Sequence, residues 1–219
     1  GLWGFRGAYH WSLWMGIVGP SVTKKPLLIR EERMLLHQGP AWIEAFLSRI
    51  LRWLFTRSYG IAIGSNNRDF FRQYGMPDER LFMVPYCVDH DLINAQAAKL
   101  ASERIEIRRR FGIADQEPVI TFVGKLTAKK QPGLLVEAFS RLRERHRCSL
   151  LLVGEGELEA ELRDMVATQA IPDVHFIGFL NRSEIGLAYT AADVFVLPSA
   201  YDETWGLVVN EAMAFSLPI

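Results

Sequence analysis

Short apolar runs alternate with stretches of helical periodicity along this chain, most regularly beyond residue 118. Runs at 119–123, 149–153, 174–177 and 194–197 have the length of buried strands. Between them, 134–145, 157–168 and 183–191 carry apolar residues at helical spacing, and a further helix follows the last strand. Parallel strands need long crossovers, so strand alternating with helix implies a doubly wound parallel sheet. Local detail agrees. Leu134, Leu135, Ala138, Phe139 and Leu142 share a face, Glu137 and Arg141 stand four apart, and Asn181 with Glu184 has capping-box spacing.

The first half is less regular. Residues 26–29 predict a strand that ends in Arg30, Glu31 and Glu32. Residues 42–55 form an amphipathic helix, with Arg49 and Arg52 opposite its apolar face; we read that face as turned to a core rather than to a membrane. A strand at 61–63, a helix at 66–74 closed by Gly75 and a strand at 81–84 follow. Residues 94–110 predict one charged helix, ending in Arg108, Arg109 and Arg110 on a solvated face. Residues 112–118 then carry linker composition. The expected domains are therefore 1–112 and 113–219.

Composition narrows the function classes. The chain of 219 residues is 49% hydrophobic, with 25 Lys and Arg against 25 Asp and Glu, so no global field favours nucleic acid. Cys87 and Cys148 stand far apart and suggest neither a disulfide framework nor a zinc site, which fits a reducing cytoplasm. No run reaches the roughly 18 apolar residues a spanning helix needs; the longest, 11–22, is broken by Gly16, Gly19 and Pro20. The chain opens on Gly1 and stops after a helix, so both sheets are expected to be incomplete.

Ligands of an open parallel sheet sit beyond the carboxyl ends of its strands. The first such loop, 124–130, holds Gly124 and three lysines, Lys125, Lys129 and Lys130, just ahead of a helix start. Such a loop suits an anion, or serves as a lysine-rich surface turn. The second has Gly154 and Gly156, a partial glycine fingerprint, and the third offers Phe179 behind a glycine. The fourth holds Glu203 and Glu211 with seven residues between them. If Glu203 lies at the helix entrance and Glu211 within it, a rise of about 1.5 Å per residue separates them by roughly 12 Å. That span fits a sugar joined through a diphosphate to a nucleoside, with the amides of Gly206, Leu207 and Val208 facing the phosphates.

These motifs, in this order, resemble the donor-binding domain of family 4 retaining glycosyltransferases of GT-B fold, and they cover nearly half the chain. The resemblance implies two Rossmann-like domains, with a nucleotide-diphosphate sugar as donor substrate and no cofactor or metal. It implies that Lys125 and Lys130 hold the diphosphate, Glu203 the transferred sugar, the amides of Gly206 to Val208 the phosphate region and Glu211 the ribose, with Gly124, Gly154 and Phe179 at the donor. Lys125 departs from the arginine more usual there, keeping charge but losing the bidentate fork. The first half resembles the acceptor domain less specifically, which would place Arg30 and Glu32 toward an interdomain cleft. His10, beside Trp11, is read as packed rather than catalytic.

The expected activity is metal-independent transfer of a sugar to a carbohydrate or other hydroxyl acceptor with retention of configuration. The expected place is the cytoplasm, including peripheral association with the inner face of a membrane. A non-catalytic nucleotide-binding or interaction fragment, and a glycoside hydrolase using the paired carboxylates, remain as alternatives.

Overall fold

The computed structural model describes residues 3–4, 26–32, 41–200 and 203–219. By contacts the chain divides into two compact units, Gly1–Tyr86 and Cys87–Ile219. The division precedes the helical stretch 90–110, which the linker composition of 112–118 had assigned to the first domain. His10 and the run 11–22 lie outside the described residues.

The first unit holds β1 (Trp3–Gly4), β2 (Leu28–Arg30), α1 (Ala41–Phe55), β3 (Tyr59–Ala62), α2 (Ser65–Gln73) and β4 (Leu81–Met83). Its strands lie in the order β1-β2-β3-β4, every pair parallel. The amphipathic pattern of α1 buries Leu54 and Phe55 while Trp53 stays exposed. Phe55 packs on Phe70 and Phe71 of α2, with ring centroids 6.1 and 5.0 Å away. Leu27, Ile29 and Ala62 complete this core.

The second unit opens with α3 (His90–Leu100) and α4 (Arg104–Arg110). It continues through β5 (Val119–Val123), α5 (Pro132–Arg143), β6 (Ser149–Val153), α6 (Glu159–Thr168), β7 (Val174–Gly178), α7 (Ile185–Ala191), β8 (Val194–Phe195) and α8 (Leu207–Ala214). The four strands are parallel in the order β7-β6-β5-β8. The alternation of side chains along β6 explains the layers. Leu150 and Leu152 face a core with Leu135, Val136 and Phe139 of α5 and Leu162 of α6. Leu151 and Val153 face the opposite core, with Leu100 of α3, Ile107 of α4, Tyr189 of α7 and Ala212 of α8. Each fully buried leucine of this kind stabilises by about 1.5–3 kcal/mol. This is the doubly wound α/β arrangement that the alternating pattern implied.

One helix expected over 94–110 is two, joined by a 3-10 turn at Ala101–Glu103. The solvated reading of Arg108 also needs correction, because its side chain is buried. It donates to the carbonyls of Ala191, Asp115 and Glu117 at 2.9, 3.0 and 3.1 Å and to the carboxylate of Asp193 at 2.6 Å. Asp193 also accepts from the Val119 amide at 2.8 Å and from Arg104 at 2.5 Å. Burial opposes ionisation of Asp193, but the Val119 N–H and the two guanidinium groups outweigh it and hold its carboxyl below the usual range. The cluster fastens α4 and the start of β5 to the end of α7.

Candidate functional site

The chain winds from β5 to β6 and β7 on one side and places β8 on the other side of β5. The carboxyl ends of β5 and β8 therefore flank a switch point, where open α/β sheets bind ligands. Beyond the strand ends the loops stay laddered: Gly124 donates to Val153 at 2.9 Å, Leu126 to Glu155 at 3.0 Å and Gly154 to Gly178 at 2.8 Å. Glycine is required at 154. Its φ is +128°, and a Cβ there would stand 2.0 Å from the Gly124 carbonyl oxygen. Gly154 thus lets the β5 and β6 loops touch. A cavity of about 600 Å³ opens over them, lined by Gly124, Lys125, Gly154, Glu155, Phe179 and Ile185 among others. Phe179 is exposed at its mouth.

Lys130 closes the 3-10 turn Ala128–Lys130, after which Gln131 takes a left-handed conformation and Pro132 starts α5. The Ala200 amide donates to the Lys129 carbonyl at 2.9 Å, tying the loop after β8 to the loop after β5. Across that tie the Lys130 ammonium forms an ion pair with the Glu203 carboxylate. Burial pushes the Glu203 carboxyl up, but the Lys130 ammonium and the Lys129 charge pull it below its ordinary range. Any stability the pair supplies is complete above the ordinary carboxylate range and lost as pH falls through the lowered value.

Gly206, at φ +73°, sits at the N-cap of α8, so the helix begins only at Leu207. This corrects the expected spacing, because the helical rise applies from Leu207 to Glu211 and not from Glu203. Among the described residues no acceptor meets the Leu207 and Val208 amides, as expected in a first helical turn. Glu211, one turn into α8, accepts from the Tyr189 hydroxyl at 2.8 Å. Trp205 donates from Nε1 to Asn210 at 3.1 Å, bracing the entry to the helix.

The structure therefore brings together Lys130 and Glu203, and separately gathers Lys125, Gly124, Gly154 and Phe179 around one cavity. Lys130, Glu203, Gly206, Leu207, Val208 and Glu211 are not among the residues of its wall. Of these, Val208 shares a hydrophobic cluster with Leu180 and Ile185 of the wall. Arg30 and Glu32 belong to the first unit. Both meet Tyr86, whose hydroxyl donates to Glu32 and whose ring lies 4.4 Å from the Arg30 guanidinium.

Sequence reasoning missed Tyr189 and Glu155. Tyr189 stands one turn from Ile185 of the cavity wall, a relation that the structure and not the sequence supplies. Among the described residues no helix is long and apolar enough to cross a membrane, and no group of three or more His, Cys, Asp or Glu side chains could hold a metal ion.

Residues 103–219 match the sequence profile of the family described as glycosyl transferases group 1. An uncharacterized glycosyltransferase of Methanocaldococcus jannaschii is 38% identical over 53% of this chain and 30% of its own length. An alpha-monoglucosyldiacylglycerol synthase of Acholeplasma laidlawii is 34% identical over 96% of this chain and 56% of its own. Anabaena HepE, solved in complex with UDP, superposes with a TM-score of 0.70 at 21% identity, over 94% of this chain and 56% of that one, a likeness of fold. The chain thus spans little more than half, or less, of the proteins it resembles.

Proposed function

The chain belongs to the group 1 glycosyl transferases, and on that premise we propose that it moves a sugar from a nucleotide-diphosphate donor to a hydroxyl acceptor, with retention of anomeric configuration, as family 4 enzymes do. The observation that carries the proposal is the Lys130–Glu203 ion pair at the switch point of the second sheet. Each partner is a stand-in for part of the donor: the ammonium is held as a phosphate would hold it, and the carboxylate is occupied as by a sugar hydroxyl. On binding, Lys130 exchanges Glu203 for the diphosphate, and Glu203 turns to the transferred sugar. Lys125 and the amides of Gly206, Leu207 and Val208 face the remaining phosphate oxygens. Glu211 takes the ribose hydroxyls, and the cavity beside Gly124, Gly154 and Phe179 takes the base.

In the transfer the bond from the anomeric carbon to the phosphate oxygen breaks and a bond to the acceptor oxygen forms on the same face. The acceptor proton passes to the leaving phosphate. Charge building on that phosphate is offset by Lys125, Lys130 and the first turn of α8, a preorganised contribution to the transition state. Those cations supply the offset in place of a divalent ion, so we propose that transfer is metal-independent. Arg30 and Glu32 are taken as acceptor-side residues, as the resemblance to family 4 enzymes implies. The relative named as an alpha-monoglucosyldiacylglycerol synthase makes a glycolipid, which brings lipid hydroxyls into the range of acceptors and would bring the protein to a membrane surface, and the UDP in the HepE complex makes UDP-sugars the first donors to test. The free thiols of Cys87 and Cys148 support a reducing, cytoplasmic setting.

The test follows product stereochemistry by NMR, with a panel of nucleotide sugars and acceptors and with EDTA present. Product of the donor's own anomeric configuration, formed in EDTA, is expected. Inverted product refutes the retaining reading, and hydrolysis of a free glycoside without nucleotide refutes the transferase reading.

A further inference from the structure

Tyr189 has one polar atom in an otherwise apolar setting. The side chain is 1% exposed, and its ring is fixed by Phe195 and Phe215, with centroids 6.1 and 5.3 Å away. A phenol has one proton to donate. Here the hydroxyl lies 2.8 Å from Glu211 Oε2, and 3.4 Å from the Val208 carbonyl oxygen on the first turn of α8. The shorter contact, to a carboxylate, is the charge-assisted one. Burial first, and then the Glu211 charge, push this phenol far above the ordinary tyrosine range, so it stays a donor throughout the working pH range.

Glu211 is thereby an acid with one oxygen engaged. A free glutamate side chain samples several rotamers and loses that freedom on meeting a ligand. Here a rigid ring on α7 has already ordered it, with Oε2 tethered and Oε1 available. The ordered carboxylate keeps lone pairs on both oxygens beyond the one the phenol uses, so it can accept from both hydroxyls of a neighbouring pair. We infer that Tyr189 is a positioning residue that presets Glu211 for the vicinal hydroxyls of the donor ribose and so sets the preference of the site for ribonucleotides over their dideoxy counterparts. This rests on the donor-site reading above.

The experiment measures affinity in the complete protein by calorimetry for UDP, GDP and ADP, each against its 2′,3′-dideoxy counterpart. The readout is the ratio of the two Kd values for the best-bound base. Wild-type protein is expected to favour the ribonucleotide by about tenfold or more, since a site built to bond a hydroxyl rejects the analogue lacking it. Glu211→Leu, which removes both acceptor oxygens, should bring the ratio close to unity, and Tyr189→Phe should lower it at least about threefold on the same reasoning. A merely structural role for Tyr189 weakens both ligands alike and leaves the ratio untouched. Tyr189→Met, which also keeps apolar volume, supplies the same comparison should the phenylalanine variant fail to fold. An unchanged ratio in the Tyr189 variants beside a collapsed ratio in Glu211→Leu overturns the positioning role alone. Absent discrimination in the wild type, or discrimination surviving Glu211→Leu, overturns the ribose reading and the positioning role with it.

Discussion

Lys130→Ala is expected to lower turnover by about 10²–10³-fold, the loss typical when one preorganised charge-stabilising donor is removed. The lysine is only partly exposed, ion-paired to Glu203, and fixed by a 3-10 turn and the left-handed Gln131 behind it. Its charge is therefore in place before the donor arrives, and removing it acts twice. The leaving phosphate loses its cation, and Glu203 loses the group that contributes most to holding its carboxyl low, so that acid moves up toward its ordinary range. Lys130→Arg should recover part of the rate, keeping charge with a different reach. Lys125→Ala should cost less, because Lys125 is exposed on the cavity rim. Steady-state kinetics with a nucleotide-sugar donor decide the matter, and unchanged turnover in Lys130→Ala removes its phosphate role.

The second large effect is on stability. Arg108→Met is expected to destabilise the second unit by about 3 kcal/mol, within the range for breaking a buried polar cluster by deleting one partner. Three carbonyl oxygens, those of Ala191, Asp115 and Glu117, lose their donor, and Asp193 keeps only Arg104 and the Val119 amide. Asp193 itself is partly exposed, which moderates the charge contribution. Its lowered carboxyl value gives the sign of the pH dependence. Stability from the ionised form is complete above the ordinary carboxylate range and falls as pH drops through the lowered value. Urea denaturation across acidic pH should show that fall in the wild type and a shallower one in Arg108→Met. Equal stability of the two proteins at neutral pH would contradict the assignment.

Arg108 also shows where a sequence stops being legible. Its neighbours Arg109 and Arg110 are exposed, and nothing local distinguishes it from them. Two of its partners, Ala191 and Asp193, are more than eighty residues away, so half of what holds it buried is out of reach of local sequence. The strands of the second unit were legible because residues buried on both faces read as continuous apolar runs, Leu150 to Val153 most plainly. The last strand was read as 194–197; it is assigned to Val194 and Phe195, and Val196 still donates to the Thr121 carbonyl of β5 at 2.8 Å before the chain leaves the sheet. The span of roughly 12 Å rested on placing Glu203 at the helix entrance. The left-handed Gly206 instead holds Glu203 outside the helix, in a loop where its side chain meets Lys130. The pairing of Asn181 with Glu184 was legible because caps are local: Asn181 accepts from the amides of Ser183 and Glu184 at 2.9 and 3.2 Å. Tyr189 escaped notice because tyrosine on a buried helix face is ordinary, and only the spatial approach of Glu211 gives its hydroxyl a use.

The central claim is that the charges beyond the carboxyl ends of β5 and β8 grip a nucleotide through its diphosphate. Calorimetric titration of the complete protein with UDP, GDP and ADP, each beside its parent nucleoside, tests that most directly. The account predicts that at least one diphosphate binds about 100-fold or more tightly than its nucleoside, and that Lys130→Ala removes most of the difference. Equal affinity for nucleoside and diphosphate, or a difference that survives Lys130→Ala intact, would contradict it.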